Sequence, residues 1–209
     1  MIATLNEEKK SGRRMLITVI GLSVVLLIFA AVLPLLFSDG EETPKPPSFV
    51  FADATLSADP QADEDYMALD RTVYYRILSA YEVTVSIHEE DLSRLDAELV
   101  LLFRLVQAAM AGDHEAYNAC FSPEYVASDG KVEAFTKQKL YDITFTLYEG
   151  TEQTVPVGYS SVRAYGLTYK IKDNNGSLRN DMGSDAMKEQ LFFVVKDAAG
   201  VASVYAVQT

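Results

Sequence analysis

The sequence contains very little cysteine and histidine: one cysteine, Cys120, and two histidines in 209 residues. A single cysteine excludes an internal disulfide. Cys120, His88 and His114 do not form a tetrahedral zinc set at any standard spacing. Cys120 lies in a helical pattern with Tyr117 and Phe121, so we expect it to be buried as a small hydrophobic residue. An intermolecular disulfide or a reactive thiol is the alternative.

Basic residues are also scarce, because 18 Lys and Arg stand against 30 Asp and Glu and give a formal net charge of −12. This balance argues against binding to nucleic acid, whose phosphate backbone needs a positive surface. It argues equally against a domain that lies flat on anionic lipid. The sequence has no Gly-rich phosphate loop, no nucleophile elbow and no metal-binding helix motif. We therefore predict no cofactor and no metal. The lack of these catalytic motifs also favours a protein that is not an enzyme.

The longest uncharged segment is Met15–Phe37, and it follows a cluster of four basic residues within 1–14. As a helix it would span roughly 34 Å, enough to cross a hydrocarbon core of about 30 Å. Because basic flanks stay in the cytoplasm, residues 1–14 are predicted to be a cytoplasmic tail and 15–37 a transmembrane helix, with the rest outside the cell. A cleaved signal peptide is the alternative. Its apolar core is normally shorter and ends in a small-x-small cleavage site.

Residues 38–65 have the composition of a tether, with several prolines and an acidic run at 58–65. Proline stiffens such a segment toward an extended conformation. Phe49, Val50 and Phe51 interrupt it, and they either dock on the domain or form an apolar patch near the membrane. Residues 66–209 are predicted to be one extracytoplasmic domain.

Periodicity within residues 66–209 predicts helices followed by strands. Apolar residues recur every three or four positions from Leu92 to Met110, which indicates a long helix that ends at Gly112. Shorter helices are predicted around 114–121 and at 132–139. Strands are predicted at 72–78, 82–87, 141–148, 165–171, 190–196 and 201–207, from β-branched content and period-two alternation. This order indicates an α+β fold, with an N-terminal transmembrane helix and then helices packed on one face of a curved antiparallel sheet.

The run Ala-Gly-Asp-His-Glu-Ala-Tyr-Asn-Ala-Cys-Phe-Ser at 111–122, between a long helix and a strand meander, resembles the nuclear transport factor two-like superfamily, a cystatin-like α+β cone. The resemblance covers roughly Leu92–Val207. The chain also resembles single-pass envelope proteins of low-GC Gram-positive bacteria. Members of the superfamily include isomerases, dehydratases and non-catalytic binding or assembly modules, so the fold does not choose a function. Its enzymes place an Asp base opposite a Tyr or Asp donor inside the cone. No position here matches that motif, since Asp142 is expected to point away from the core.

The most polar loop of the domain is Asn174–Asp185, which brings Arg179, Asn180, Asp181 and Asp185 together in a Gly-punctuated stretch. Binding residues concentrate on such loops, so these four are the candidate binding residues. An EF-hand is excluded because Gly176 is misplaced for it. Structural turn chemistry is the alternative, with Asn and Asp bonding their own backbone. If the loop is a binding surface, replacing Arg179 and Asp181 by Ala should leave stability nearly unchanged.

Three hypotheses follow for the function. The first is a membrane-anchored, extracytoplasmic binding or assembly module without catalysis, held in the cell membrane by one helix with its N-terminus in the cytoplasm. Its partner would be an envelope or membrane protein. The second is a small-molecule enzyme of the isomerase or dehydratase kind that uses the cone as its pocket. The third is a subunit of a membrane complex.

Overall fold

In the computed structural model of the chain, the described residues are 49–53, 59–78, 82–149 and 153–209. The chain divides into two units, Met1–Ser48 and Phe49–Thr209, and every described residue belongs to the second. The predicted tail 1–14, the predicted transmembrane helix 15–37 and residues 38–48 of the tether lie outside the described residues. Within the described ranges, no helix has both the length and the apolar composition that a bilayer span requires.

The second unit is built on a sheet of six strands in the order β2-β1-β3-β4-β5-β6. The strands are β1 Val73–Leu78, β2 Val83–Ile87, β3 Lys139–Tyr148, β4 Ser161–Lys172, β5 Gln190–Lys196 and β6 Ala202–Gln208. Each predicted strand is present, with ends that differ by a few residues at most. The α+β class is therefore confirmed for this unit.

The sheet is mixed, which corrects the prediction of a purely antiparallel one. Strand β1 pairs in parallel with β3, while the other neighbouring pairs are antiparallel. The hairpin β1–β2 leaves β2 at the edge, and the chain then crosses through helices before it returns beside β1. Such a long helical crossover permits parallel pairing, whereas a tight hairpin does not.

The helices lie mainly between β2 and β3. They are α1 Glu64–Met67, α2 Ala97–Ala111, α3 His114–Asn118 and α4 Pro123–Asp129, with 3₁₀ turns at Pro60–Ala62 and Glu89–Arg94. The predicted long helix is therefore shorter at its start, because residues 89–94 form the 3₁₀ turn. The predicted helix at 132–139 is wrong. Residues 132–138 are irregular and Lys139 begins β3, and Phe135 is buried against the Tyr117 ring at 5.4 Å between centroids.

Helix α2 ends and α3 begins as the sequence predicts. Gly112 adopts a left-handed φ of 69° at the end of α2, and a Cβ at this position would lie 2.7 Å from the backbone nitrogen of Lys137. Only glycine therefore fits both the conformation and the space. The Asp113 carboxylate accepts a hydrogen bond from Ala116 N at 2.9 Å and caps α3.

The hydrophobic core lies between α2 and the sheet. Leu102 and Val106 of α2 are buried in one cluster with Phe145, Leu167 and Phe192, which come from β3, β4 and β5. These side chains fill the space between the helix and the sheet. A pocket opens to one side of α2, against the segment that precedes β1.

Candidate functional site

A pocket of about 520 Å³ lies between α2 and residues 59–71. This volume falls in the range of roughly 300–1,000 Å³ that is usual for small-molecule sites. The walls are mostly apolar. The lining residues are Asp59, Pro60, Gln61, Tyr66, Met67, Arg71, Val73, Phe103, Val106, Gln107, Met110, Ala111, Lys137 and Gln138. The pocket therefore offers a largely apolar surface with a few polar groups.

The wall opposite α2 is fastened to the sheet by Asp63. Its carboxylate accepts hydrogen bonds from Lys139 Nζ on β3 at 2.6 Å and from Lys172 Nζ on β4 at 2.8 Å. It also caps α1 by accepting from Tyr66 N at 3.1 Å. The hydrogen bonds from Lys139 and Lys172, followed by that from Tyr66 N, hold the pKa of Asp63 far below its ordinary value.

Tyr66 also connects this wall of the pocket to the sheet. Its side chain is buried, and its hydroxyl donates to the Leu140 carbonyl oxygen at 3.0 Å. Burial raises the pKa of the Tyr66 hydroxyl, with an opposing effect from the nearby Arg71. The ring is therefore held in place as a fixed part of the pocket surface.

Arg71 is the unusual polar group of the pocket. Its guanidinium carbon lies 5.6 Å from the ring centroid of Tyr66, within cation–π range. Its Nε is buried and has no hydrogen-bond partner among the described residues, and none of their carboxylates forms an ion pair with this side chain. A buried donor left unpaired costs about 1–3 kcal/mol. Among the described residues, this nitrogen therefore has no acceptor.

A second pocket, of about 480 Å³, adjoins the first at Arg71. The two pockets share Arg71, Val73, Phe103 and Met110. The rest of the second lining is mainly polar and consists of Leu69, Asp70, Thr72, Ile87, His88 and Glu89. Arg71 thus marks the border between an apolar cavity and a polar, open one.

The first pocket has no arrangement of side chains suited to nucleophilic catalysis. Its lining contains no cysteine, serine, threonine or histidine. The Tyr66 hydroxyl is engaged by Leu140, and Asp59 lies 3.7 Å from Lys137 Nζ in an exposed ion pair. A general base with a nearby nucleophile is what acyl transfer would require.

The four residues proposed for binding on the Asn174–Asp185 loop do not form one exposed cluster. Arg179 is only 4% exposed, and its Nε and Nη2 donate to the two carboxylate oxygens of Asp181 at 2.6 and 2.9 Å. Its Nη1 donates to the Tyr169 hydroxyl at 3.3 Å. Asn180 is exposed beside this pair. Asp185, with a φ of 58°, instead accepts from the Tyr141 hydroxyl at 2.8 Å.

Side-chain hydrogen bonds to its own backbone organise the rest of this loop. Buried Asn174 donates from Nδ2 to the carbonyl oxygens of Arg179 and Met182, and its Oδ1 accepts from Gly176 N. Asn175 Oδ1 accepts from Ser177 N at 3.1 Å. These contacts are the turn chemistry that was the alternative to a binding role. A role of the loop in binding stays a prediction.

Residues 49–53 of the predicted tether also pack against the loop. Ala52 N donates to the Asn174 carbonyl oxygen at 2.9 Å. A Cβ at Gly176 would lie 3.0 Å from the Phe51 ring, and one at Gly183 would lie 3.4 Å from the Phe49 ring. Of the two possibilities left open for this apolar segment, docking on the domain is what the structure shows. The glycines of the loop make room for the two rings.

Glu98 is a buried carboxylate whose burial was not predicted from the sequence. It is 1% exposed in the first turn of α2, with Lys196 Nζ at 2.9 Å and Arg163 Nη1 at 3.6 Å from its Oε1. The lysine contact lacks hydrogen-bond geometry, and among the described residues neither Glu98 oxygen has a hydrogen bond. In sequence, Glu98 resembles an ordinary acidic residue at a helix start. Its cations come from β4 and β5, which lie far along the chain, so no local pattern reveals the cluster.

The other candidate reactive residues are Cys120, Asp142 and His88. Cys120 is buried as expected, its Sγ donates to the Ala116 carbonyl oxygen at 3.5 Å, and burial raises its pKa to about 11. Asp142 lies at a bulge of β3 and forms an ion pair with Lys170 at 2.9 Å. His88 is exposed. Within the described ranges, no group of three or more His, Cys, Asp or Glu residues is placed to hold a metal ion.

Comparison of the chain with protein-family models, with curated proteins and with solved structures gives no match. Function is therefore inferred from the geometry of the described residues.

Proposed function

We propose that the chain is a non-catalytic binding module that takes a small, largely apolar ligand into the pocket beside α2. The observation that carries this proposal is the pocket itself, about 520 Å³ in volume and lined by Tyr66, Val73, Phe103, Val106 and Met110 among others. Buried aromatic and aliphatic walls with few polar groups are typical of small-molecule sites. The absence of a nucleophile–base pair from the lining supports binding rather than turnover.

The proposed setting is the outer side of a cell membrane. The predicted anchor 15–37 and its basic flank support a single-pass topology with the binding domain outside. The order of long helix, short helices and strand meander supports placing the domain among nuclear transport factor two-like modules. The core side chains beneath α2 favour a non-catalytic member, because they occupy the space in which the enzymes of that superfamily hold their substrate.

A photoreactive neutral amphiphile tests the proposed function. The full-length chain, purified in an amphiphilic polymer, is irradiated with a diazirine-bearing fatty alcohol, and the labelled peptides are mapped by mass spectrometry. We expect labelling within residues 59–73 and 97–111, which form the two walls of the pocket. Labelling should saturate with probe concentration and fall when unlabelled alcohol is added.

A neighbouring pair of substitutions supplies the control. Met67 lines the pocket and is 38% exposed, so Met67→Trp should fill the mouth and reduce labelling without disturbing the core. Ala68 is exposed and does not line the pocket, so Ala68→Trp should label like the wild type. Thermal unfolding checks that both variants fold. Equal labelling of the two variants, or labelling spread evenly over the chain, would contradict a ligand site here.

A further inference from the structure

We propose that the ligand of this pocket is a single-chain aliphatic carboxylate, similar to a fatty acid, whose carboxylate pairs with Arg71. This inference rests on the proposed function, and it adds the chemistry of the ligand's polar end. It begins from the buried Nε of Arg71, which has no acceptor among the described residues. That Nε is closed to solvent, so a ligand carboxylate would accept instead from the part of the half-buried guanidinium that lines the pockets, and it would compensate the charge of Arg71.

The surroundings of Arg71 set it apart from other cations of the domain. Arg94, Arg104 and Lys131 also form no ion pair with a described carboxylate, but each is exposed, where water solvates the charge. Arg71 is half-buried between two pockets. A cation that is partly removed from water and lacks a protein carboxylate is suited to an anion supplied from outside the chain.

The two pockets give the ligand a direction. The apolar pocket extends from Arg71 along Phe103, Val106 and Met110 of α2, and it suits an aliphatic chain. The second pocket, which adjoins the first at Arg71, is lined by Asp70, Thr72 and other polar groups. An amphiphile bound with its carboxylate at this border buries its chain and keeps its charged end partly hydrated.

The charge near Arg71 favours a monoanion over a phosphate. Asp70 and Glu89 line the polar pocket, so a doubly charged headgroup there would meet two carboxylates beside one arginine, whereas Asp59 in the apolar pocket is paired with Lys137. The planar guanidinium matches the two oxygens of a carboxylate. The volume of the pocket is that of a site for one small ligand, which favours a single chain over a two-chain lipid.

Competition between matched amphiphiles tests the inference. The full-length chain is labelled with the diazirine-bearing fatty alcohol near neutral pH, and unlabelled fatty acid or fatty alcohol of equal chain length is titrated against it. We expect the acid to compete roughly 10- to 100-fold better than the alcohol, as one charge-assisted pair predicts. Arg71→Leu should remove this preference while labelling by the alcohol persists, and Arg71→Lys should restore part of it. Arg94→Leu, which removes an exposed arginine, should leave the preference unchanged.

The outcomes separate the two proposals. If acid and alcohol compete equally in the wild type, or if the preference for acid survives Arg71→Leu, the carboxylate inference is wrong and the pocket remains a binding site. If an alkyl phosphate competes better than the carboxylate, the assignment of a monoanion is wrong. If the alcohol does not label the pocket peptides at all, the proposed function itself fails.

Discussion

Removing the carboxylate of Asp181 should destabilise the domain strongly, because it leaves the buried guanidinium of Arg179 without its anion. Arg179 is 4% exposed and donates two hydrogen bonds to Asp181 at 2.6 and 2.9 Å. Breaking a buried ion pair costs about 3–5 kcal/mol, and the 26% exposure of the Asp181 side chain lowers this figure to about 3 kcal/mol. For a domain of this size, such a loss lowers the melting temperature by roughly 6–12 °C.

Thermal and urea unfolding of four variants, followed by circular dichroism, measures this cost. Asp181→Ala should show the full loss. Arg179→Met with Asp181→Ala should recover at least about 1 kcal/mol relative to Asp181→Ala, because no charge is then buried. Arg179→Met completes the double-mutant cycle. Asn180→Ala, at the exposed neighbour, should change stability by less than about 0.5 kcal/mol. If Asp181→Ala melts at the wild-type temperature, the ion pair does not stabilise the fold. A binding role for the loop would then be favoured again.

The same pair gives the domain part of its sensitivity to acid. The hydrogen bond from Arg179 lowers the pKa of Asp181 far below its ordinary value of 3.8, with a further contribution from Lys188. The unfolded state therefore takes up a proton at a higher pH than the folded state does. The stabilisation is complete above the ordinary pKa and is lost as the pH falls below 3.8 toward the lowered pKa. Asp181→Asn should flatten this part of the curve of unfolding free energy against pH, and an unchanged slope would contradict the assignment.

Two further predictions concern single positions outside the pocket. Gly112→Ala should destabilise the domain by at least about 1–2 kcal/mol in urea unfolding, since its φ is 69° and the added Cβ meets the Lys137 backbone. Ala199→Gly, in an exposed turn, serves as a comparison of the reverse change, and equal small effects would argue against the strain. Cys120 should react with iodoacetamide far more slowly in the folded chain than in urea, because burial raises its pKa to about 11. Rapid labelling of the folded chain would show that the thiol is accessible.

Much of the fold could be predicted because its signals are local. Alternation at 141–148 and the three- and four-residue spacing from Leu92 to Met110 each report which face of a single element is buried. The parallel pairing of β1 with β3 could not be read in this way, since it depends on the path of the chain between distant elements. The irregular stretch at 132–138 shows a second limit. Phe135 has the spacing of a helical core residue and is buried against Tyr117, but the backbone around it is irregular.

The candidate site was less predictable for the same physical reason. The loop residues Arg179 and Asp181 are conspicuous because they are close in sequence, yet their charges neutralise each other inside the domain. The pocket draws on residues 59–73, 103–111 and 137–138, and each stretch alone has the composition of an ordinary amphipathic surface. Arg71 is informative only after the fold shows that no described carboxylate reaches it.

In a chain this acidic, the lack of a described carboxylate partner for Arg71 is unexpected. With 30 acidic against 18 basic residues, a cation in this protein has many carboxylates from which a partner could be drawn. Lys139 and Lys172 are both paired with Asp63, and Lys188 with Asp181. In such a background, a half-buried cation without a described carboxylate is unexpected, because pairing would offset the cost of removing it from water. The ligand carboxylate that we propose would supply that compensation, and the apolar wall beside Arg71 would accommodate its hydrocarbon chain.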